Sequence, residues 1–250
     1  ALQAQTEYGQ AIKKKAQEIL GKSRKTGNLT ILLAGRPYHT DPLVQHKLSE
    51  MIASLGVDVI SDDIVRNDTV TNSGETYLVK QWAYMNRIVK SGQWAAEQDD
   101  QLHFVEMTSF GCGPDSFIQD EIRDILKRHH KPFTLLKIDD VSNIGSLKLR
   151  IRSLVESLKH KINTKGEIPP LPLEQTRVFR QEDIRRKILA PYMTEYLTPF
   201  ISPILKLMGY DVEVLPMSDQ HSAELGLKYA NNEVCYPATL IVGDIIKALK

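Results

Sequence analysis

Short apolar runs alternate with amphipathic stretches between residues 28 and 163, and this alternation limits the fold more than any other feature. The runs at 29–34, 57–60, 102–107 and 133–138 have the near-continuous apolar character of parallel strands that are covered on both faces. The stretches at 43–55, 76–89, 117–129 and 145–161 carry apolar residues at helical spacing. This succession predicts an α/β fold with a Rossmann-like parallel sheet and helices on both faces.

The chain divides into four segments around this predicted sheet. Residues 1–27 form an N-terminal helix, with an amphipathic part at 8–20 that Gly21 is expected to close, and residues 28–163 form the Rossmann-like domain. Residues 164–176 contain three prolines and are predicted to be an extended connector. Residues 177–250 offer a strand and loop at 187–193, a second strand at 211–215, and two helices, at 197–208 and 236–249. We interpret them as a partial second α/β unit.

Composition excludes several classes of function. The formal net charge is +1, and the 32 Lys and Arg residues are scattered rather than grouped in a stripe, so nucleic acid is not an expected partner. No apolar run approaches the roughly 18 residues of a membrane helix. Three consecutive lysines at 13–15 also interrupt the apolar core that a signal peptide would need. We therefore expect a cytoplasmic protein without a membrane anchor.

The two cysteines occupy similar positions. Cys112 lies in a turn between a predicted strand and a predicted helix, flanked by Gly111 and Gly113, and Cys235 lies just before a helix that Pro237 is expected to start. Free amides at a helix N-terminus favour a thiolate, so both sulfurs are suited to a metal, a cluster or redox chemistry. Two thiols cannot complete a tetrahedral metal site, so further ligands would come from histidine, a partner chain or other sequence. Two independent structural thiols remain the alternative.

A second loop, at residues 35–42, follows the first predicted strand. Arg36 could bind a phosphate or carboxylate, and His39 could act as an acid, a base or a ligand. The alternative is a simple strand-to-helix turn in which Asp41 caps the next helix. Because ligands gather at the carboxyl ends of parallel strands, the loops at Gly35 and Gly111 are expected at the same edge of the sheet.

Five segments together resemble the uncharacterised, non-ATPase region of proteins related to 2-hydroxyacyl-CoA dehydratase activators. They are residues 35–42, 109–113, 136–139, 150–154 and 231–238, so the resemblance spans nearly the whole chain. In that superfamily, cysteines at helix N-termini hold a [4Fe-4S] or a larger double-cubane cluster between Rossmann-like subdomains. The resemblance implies that Cys112 and Cys235 are cluster ligands, and that Arg36, His39 and Asn232 lie around the cluster or the substrate.

The resemblance also implies a working context. It predicts an iron–sulfur electron-transfer or dehydratase-like module that is not catalytic alone, with an activase ATPase domain and a dehydratase-like subunit or segment as partners. It further implies an acyl-CoA substrate and a homodimer. Dehydratase subunits generally supply three cysteines, whereas this sequence has two, so an isolated fragment is expected to lack the cluster. No phosphate-binding nucleotide motif is present, which assigns ATP hydrolysis to another segment.

Two other functions are compatible with the same residues. One is a flavodoxin-like interaction module in which both cysteines are structural. The other is a zinc-binding domain that uses Cys112, Cys235 and His39 as ligands.

Overall fold

The computed structural model describes residues 2–66, 82–109, 113–138, 144–162, 180–230 and 234–250, and it falls into two compact units. The first unit comprises Ala1–Phe110 and Phe117–Leu173, and the second comprises Gly111–Ser116 and Glu174–Lys250. The predicted proline connector, residues 164–176, lies outside the described residues. None of the described helices combines the length and hydropathy needed to cross a bilayer.

The first unit is built on a four-stranded parallel sheet. Its strands are β1 (Thr30–Ala34), β2 (Asp58–Ser61), β3 (Leu102–Thr108) and β4 (Thr134–Lys137), in the order β2-β1-β3-β4. Leu32 on the central strand β1 pairs with Ile60 on one side and with Phe104 on the other. This arrangement confirms the predicted α/β class with a parallel sheet.

Helices cover both faces of this sheet. They are α1 (Leu2–Thr26), α2 (Leu48–Ala53), α3 (Ala83–Ala96), α4 (Gly113–Arg128) and α5 (Ile144–Ile162). Side chains alternate between the faces along each strand: Leu32 and Phe104 pack with α1, α3 and α4, whereas Ile31 and Val105 pack with α2 and α5. The result is two separate apolar cores, one on each side of a fully buried β1.

Several helix bounds differ from the predictions. Helix α1 does not stop at Gly21 but runs to Thr26, where Gly27 takes a left-handed conformation with φ of 73°. Gly21 is exposed inside the helix, where a glycine costs only about 1 kcal/mol. Helix α3 continues past residue 89 to Ala96, and α4 begins at Gly113 rather than at 117.

Helix α2 is much shorter than the predicted stretch 43–55. It spans Leu48–Ala53, because His46 and Lys47 have φ of 51° and 56° and so break the helical path. The expectation that Asp41 caps this helix is therefore wrong: the N-cap of α2 is Lys47, and Asp41 Oδ1 instead accepts hydrogen bonds within the preceding turn, from the amides of Leu43 and Val44 at 2.8 and 3.3 Å.

The described residues of the second unit form a two-stranded parallel sheet and three α-helices of their own. The elements are β5 (Lys187–Ala190), α6 (Thr198–Leu207), β6 (Asp211–Val214), α7 (Gln220–Tyr229) and α8 (Tyr236–Leu249). Helix α7 was not predicted. Asp219 caps it by accepting from the Ser222 amide at 2.9 Å, and a hydrogen bond from Lys247 on α8 holds the pKa of Asp219 well below its usual range.

Helices α7 and α8 pack with their backbones in contact. A Cβ atom at Gly226 would collide with the carbonyl of Thr239, and one at Gly243 would collide with the carbonyl of Ser222. Only glycine permits so close an approach, so these two positions fix how α8, and therefore its first residues, lie against α7.

Candidate functional site

The carboxyl ends of β1 and β3 lie side by side in the first unit. Strand β2 lies on one side of β1 within the sheet, and β3 lies on the other side of β1. The order of the strands therefore reverses direction between β1 and β3. Such a switch point leaves a crevice at which α/β proteins bind ligands. The predicted loop 35–42 follows β1 here, and Ser109 follows β3.

His39 joins these two loops. It is fully buried, its Nδ1 accepts a hydrogen bond from the Arg36 amide at 3.2 Å, and its Nε2 lies 3.2 Å from Ser109 Oγ. Because Nδ1 accepts, the network assigns the ring proton to Nε2, which donates to the hydroxyl of Ser109. In this state His39 does not activate Ser109 as a base would, and both ring nitrogens are engaged rather than open to a metal.

Gly35 allows this arrangement. A Cβ atom at Gly35 would lie 2.7 Å from His39 Nδ1 and 3.0 Å from the carbonyl of Met107, so a larger residue would displace the imidazole. Tyr38, on the same turn, packs edge-on against the His39 ring and has its hydroxyl 3.5 Å from Ser109 Oγ.

Arg36 is held at the rim of the same loop. Its guanidinium carbon lies 5.4 Å from the centroid of the Tyr84 ring on α3, in a cation–π arrangement. The residue is half-buried, so part of its side chain is accessible to solvent at this rim. The structure therefore places Arg36 and His39 on one loop but in different roles, one at the surface and one in the interior.

Asp62 and Arg87 form a buried ion pair that the sequence analysis did not identify. Asp62 directly follows β2 at the same sheet edge and is 1% exposed, and Arg87 Nε lies 3.0 Å from its Oδ2. Arg87 also donates to the carbonyl of Gly35 at 3.4 Å. Burial raises the pKa of Asp62 to about 6, because the loss of hydration outweighs the attraction of Arg87. The position of Asp62 directly after a predicted strand was the sequence signal for this site. Nothing in the sequence indicated that Arg87, 25 positions later, is its partner.

Cys235 occupies the N-cap position of α8 in the second unit. Its backbone is extended, with φ of −68° and ψ of 157°, and its carbonyl accepts the Thr239 amide at 3.0 Å. The sulfur lies against Gly113, the first residue of α4, so closely that a Cβ atom there would be only 2.6 Å from Sγ. Gly113 belongs to the same compact unit and directly follows Cys112 in the chain.

The other predicted site residues lie outside the described residues. Cys112 and Asn232 are among them, so their predicted roles as cluster ligand and as neighbour of the cluster stay predictions. Within the described residues, no group of three or more His, Cys, Asp or Glu side chains is arranged to hold a metal ion. The described residues of the site thus include one thiol, that of Cys235. It lies beside Gly113, the residue that follows Cys112 in the chain.

Comparison with known proteins supports one family relation. Residues 1–65 match the family model described as the CoA enzyme activase uncharacterised domain. No curated protein and no solved structure matches the chain. The matched segment includes β1, the loop with Arg36 and His39, and β2. The match bears out the resemblance to activator-related proteins over residues 1–65, where this chain is similar to the CoA enzyme activase uncharacterised domain.

Proposed function

We propose that this chain is an iron–sulfur module of a 2-hydroxyacyl-CoA dehydratase activator-related protein, with Cys112 and Cys235 as ligands of one [4Fe-4S] cluster. The observation that carries the proposal is the contact between Cys235 Sγ and Gly113. Because Gly113 follows Cys112 directly, this contact supports a single site for both thiols rather than two separate structural thiols.

The local structure suits negatively charged sulfur ligands. Cys235 precedes the 14-residue helix α8, and the 16-residue helix α4 begins immediately after Cys112. The first amides of each helix lack intrahelical acceptors and favour a thiolate in front of them. The missing side chain at Gly113 lets Cys235 Sγ approach the backbone directly after Cys112, as two ligands of one cluster require. A bound cluster would supply one-electron transfer at low potential.

Arg36, His39 and Asn232 take supporting roles in this proposal. Arg36 would bind a phosphate or carboxylate of an acyl-CoA, since its stacked guanidinium is pre-oriented and partly exposed. His39 would keep that loop in place through Arg36 and Ser109. Asn232, three residues before Cys235, would donate hydrogen bonds to the sulfur ligands.

The partners in this proposal are an activase ATPase domain and a dehydratase-like subunit or segment. Helix α6 supports a protein partner, because Phe200, Ile204 and Leu207 on it are 61%, 53% and 90% exposed. Unpartnered apolar residues at helical spacing are typical of an interaction surface. We assign this face to the dehydratase-like partner, and we place the module in the cytoplasm, where thiols stay reduced.

Anaerobic reconstitution with ferrous iron and sulfide tests the cluster assignment. We expect the protein to gain visible charge-transfer absorbance and bound iron, and Cys112→Ser and Cys235→Ser each to lose both. Leu227→Ser, which introduces a serine at an exposed position of α7 in the same unit as Cys235, is the matched control and should keep them. Equal spectra and iron contents for the wild type and the double cysteine variant would refute the cluster. Stoichiometric zinc in protein purified without chelator, lost in the same variants, would replace it with a zinc site.

A further inference from the structure

A groove between α2 and α5 of the first unit does not involve the loop of Arg36 and His39. It encloses about 390 Å³, which is within the size range of small-molecule sites. Lys47, Lys148 and Arg152 line it, together with the carboxylate of Glu50 and the apolar side chains of Met51 and Leu55. The groove therefore combines an apolar wall with an excess of positive charge.

The three cations have no ion-pair partner among the described residues. Elsewhere in the first unit, basic side chains do find carboxylates: Arg24 lies 2.7 Å from Asp99, and Arg123 lies 2.6 Å from Asp120. Three cations and the one Glu50 carboxylate leave an excess of positive charge in the groove, which an anionic ligand between the cations would offset. Within the described residues, the positive charge of this groove is therefore not neutralised by ion pairs.

The backbone at the rim of the groove is strained. His46 and Lys47, which both line the groove, are two of the three non-glycine residues with positive φ in the described chain. Such residues cost of order 1 kcal/mol each, and they are concentrated at ligand-binding positions.

Hydrogen bonds of Gln45 hold this conformation. Gln45 is buried; its Nε2 donates to the Thr40 carbonyl at 3.3 Å, and its Oε1 accepts from the Ser49 amide at 3.1 Å. The side chain of Lys47 therefore leaves from a fixed backbone rather than from a free loop, so less conformational entropy is lost when it contacts a ligand.

We propose that this groove binds a phosphorylated small molecule. The phosphate would contact Lys47, Lys148 and Arg152, since a doubly charged anion matches three cations and the Arg152 guanidinium can donate two parallel hydrogen bonds to it. The apolar part of the ligand would pack on Met51 and Leu55. Neither cysteine nor the loop of Arg36 takes part, so this proposal stands or fails independently of the iron–sulfur site.

Calorimetric titration tests the cationic lining and the apolar wall of the groove separately. The two probes are inorganic phosphate and phenyl phosphate, at a pH where both are dianions. Burial of about 50 Å² of the phenyl ring should make phenyl phosphate bind close to tenfold more tightly. The double variant Lys148→Gln, Arg152→Gln should lose about tenfold or more in affinity for both probes, because each charged hydrogen bond contributes substantially.

A charge-matched variant serves as the control. Lys14→Gln with Lys22→Gln removes the same formal charge from exposed positions of α1, which packs on the opposite face of the sheet, and should leave both affinities unchanged. All four substituted side chains are exposed, so circular dichroism should show intact folds. Absence of saturable binding at millimolar probe concentration, or equal losses in the two double variants, would overturn the proposal.

Discussion

Replacing Gly113 by alanine should destabilise the protein only while the Cys235 sulfur is present. The new Cβ would lie 2.6 Å from Sγ, which no real Cβ contact tolerates, so one of the two residues must shift. Overpacking of this kind costs about 1–3 kcal/mol, whereas alanine in place of helical glycine contributes about 0.5–1 kcal/mol of stability. We therefore expect Gly113→Ala to lower the free energy of unfolding by about 1 kcal/mol.

The sign should reverse when the sulfur is removed. In a Cys235→Ala background the nearest atom to the new Cβ is the Cys235 Cβ position at 3.4 Å, an ordinary contact. Gly113→Ala should then raise the free energy of unfolding by about 0.5 kcal/mol, giving a coupling energy near 1.5 kcal/mol. Urea unfolding of the four proteins under reducing conditions, followed by circular dichroism, measures it.

Gly21→Ala is the matched control for this cycle. Gly21 is also helical, but a Cβ atom there would have no neighbouring atom within 4 Å, so the substitution should be stabilising in both backgrounds. A coupling energy below about 0.4 kcal/mol between Gly113→Ala and Cys235→Ala would show that the two residues are not in contact, and would refute the reasoning.

Three further changes test other parts of the structure. The folded-state pKa of Asp62, about 6, exceeds the ordinary 3.8, so the stabilising contribution of this carboxyl is complete below about pH 4 and is lost as the pH rises through 6. Asp62→Asn should remove roughly 3 kcal/mol of this pH-dependent fall in the free energy of unfolding. If urea unfolding gives the same dependence of that free energy on pH for both proteins, the raised pKa of Asp62 is contradicted. Gly243→Ala should cost about 2 kcal/mol or more in thermal unfolding, because its Cβ collides with the Ser222 carbonyl; an unchanged midpoint would mean that α7 and α8 are farther apart. His39→Ala should cost about 2–4 kcal/mol in urea unfolding, because it empties a buried site and removes the donor to Ser109; a neutral effect would show that the loop does not depend on it.

Elements with strong local signals were predicted well. Helix α8 has the predicted bounds because Pro237 suits the first turn and the apolar residues continue to Leu249. Helix α7 was missed although Asp219 and Ser222 form a capping pair, because its apolar pattern is weak. The shortening of α2 was not predicted, since lysine does not signal a left-handed conformation and one histidine, although a residue type enriched there, is only a weak signal.

The candidate site was predictable only where it depends on chain connectivity. The sequence placed the loops after β1 and β3 at one sheet edge because parallel strands end together. The contact of His39 with Ser109, 70 positions apart, depends on tertiary packing that periodicity does not encode. The same holds for Gly113 and Cys235: two glycines beside Cys112 suggested close approach, but not which group approaches.

Cross-linking of the two thiols tests the central claim most directly. Dibromobimane joins two cysteines only when their sulfurs come close together, and peptide mass spectrometry then identifies the linked pair. A shared site predicts an intramolecular link between Cys112 and Cys235 in the reduced monomer, lost on denaturation in urea before labelling. Two singly alkylated cysteines with no linked peptide would contradict the shared site and, with it, the iron–sulfur proposal.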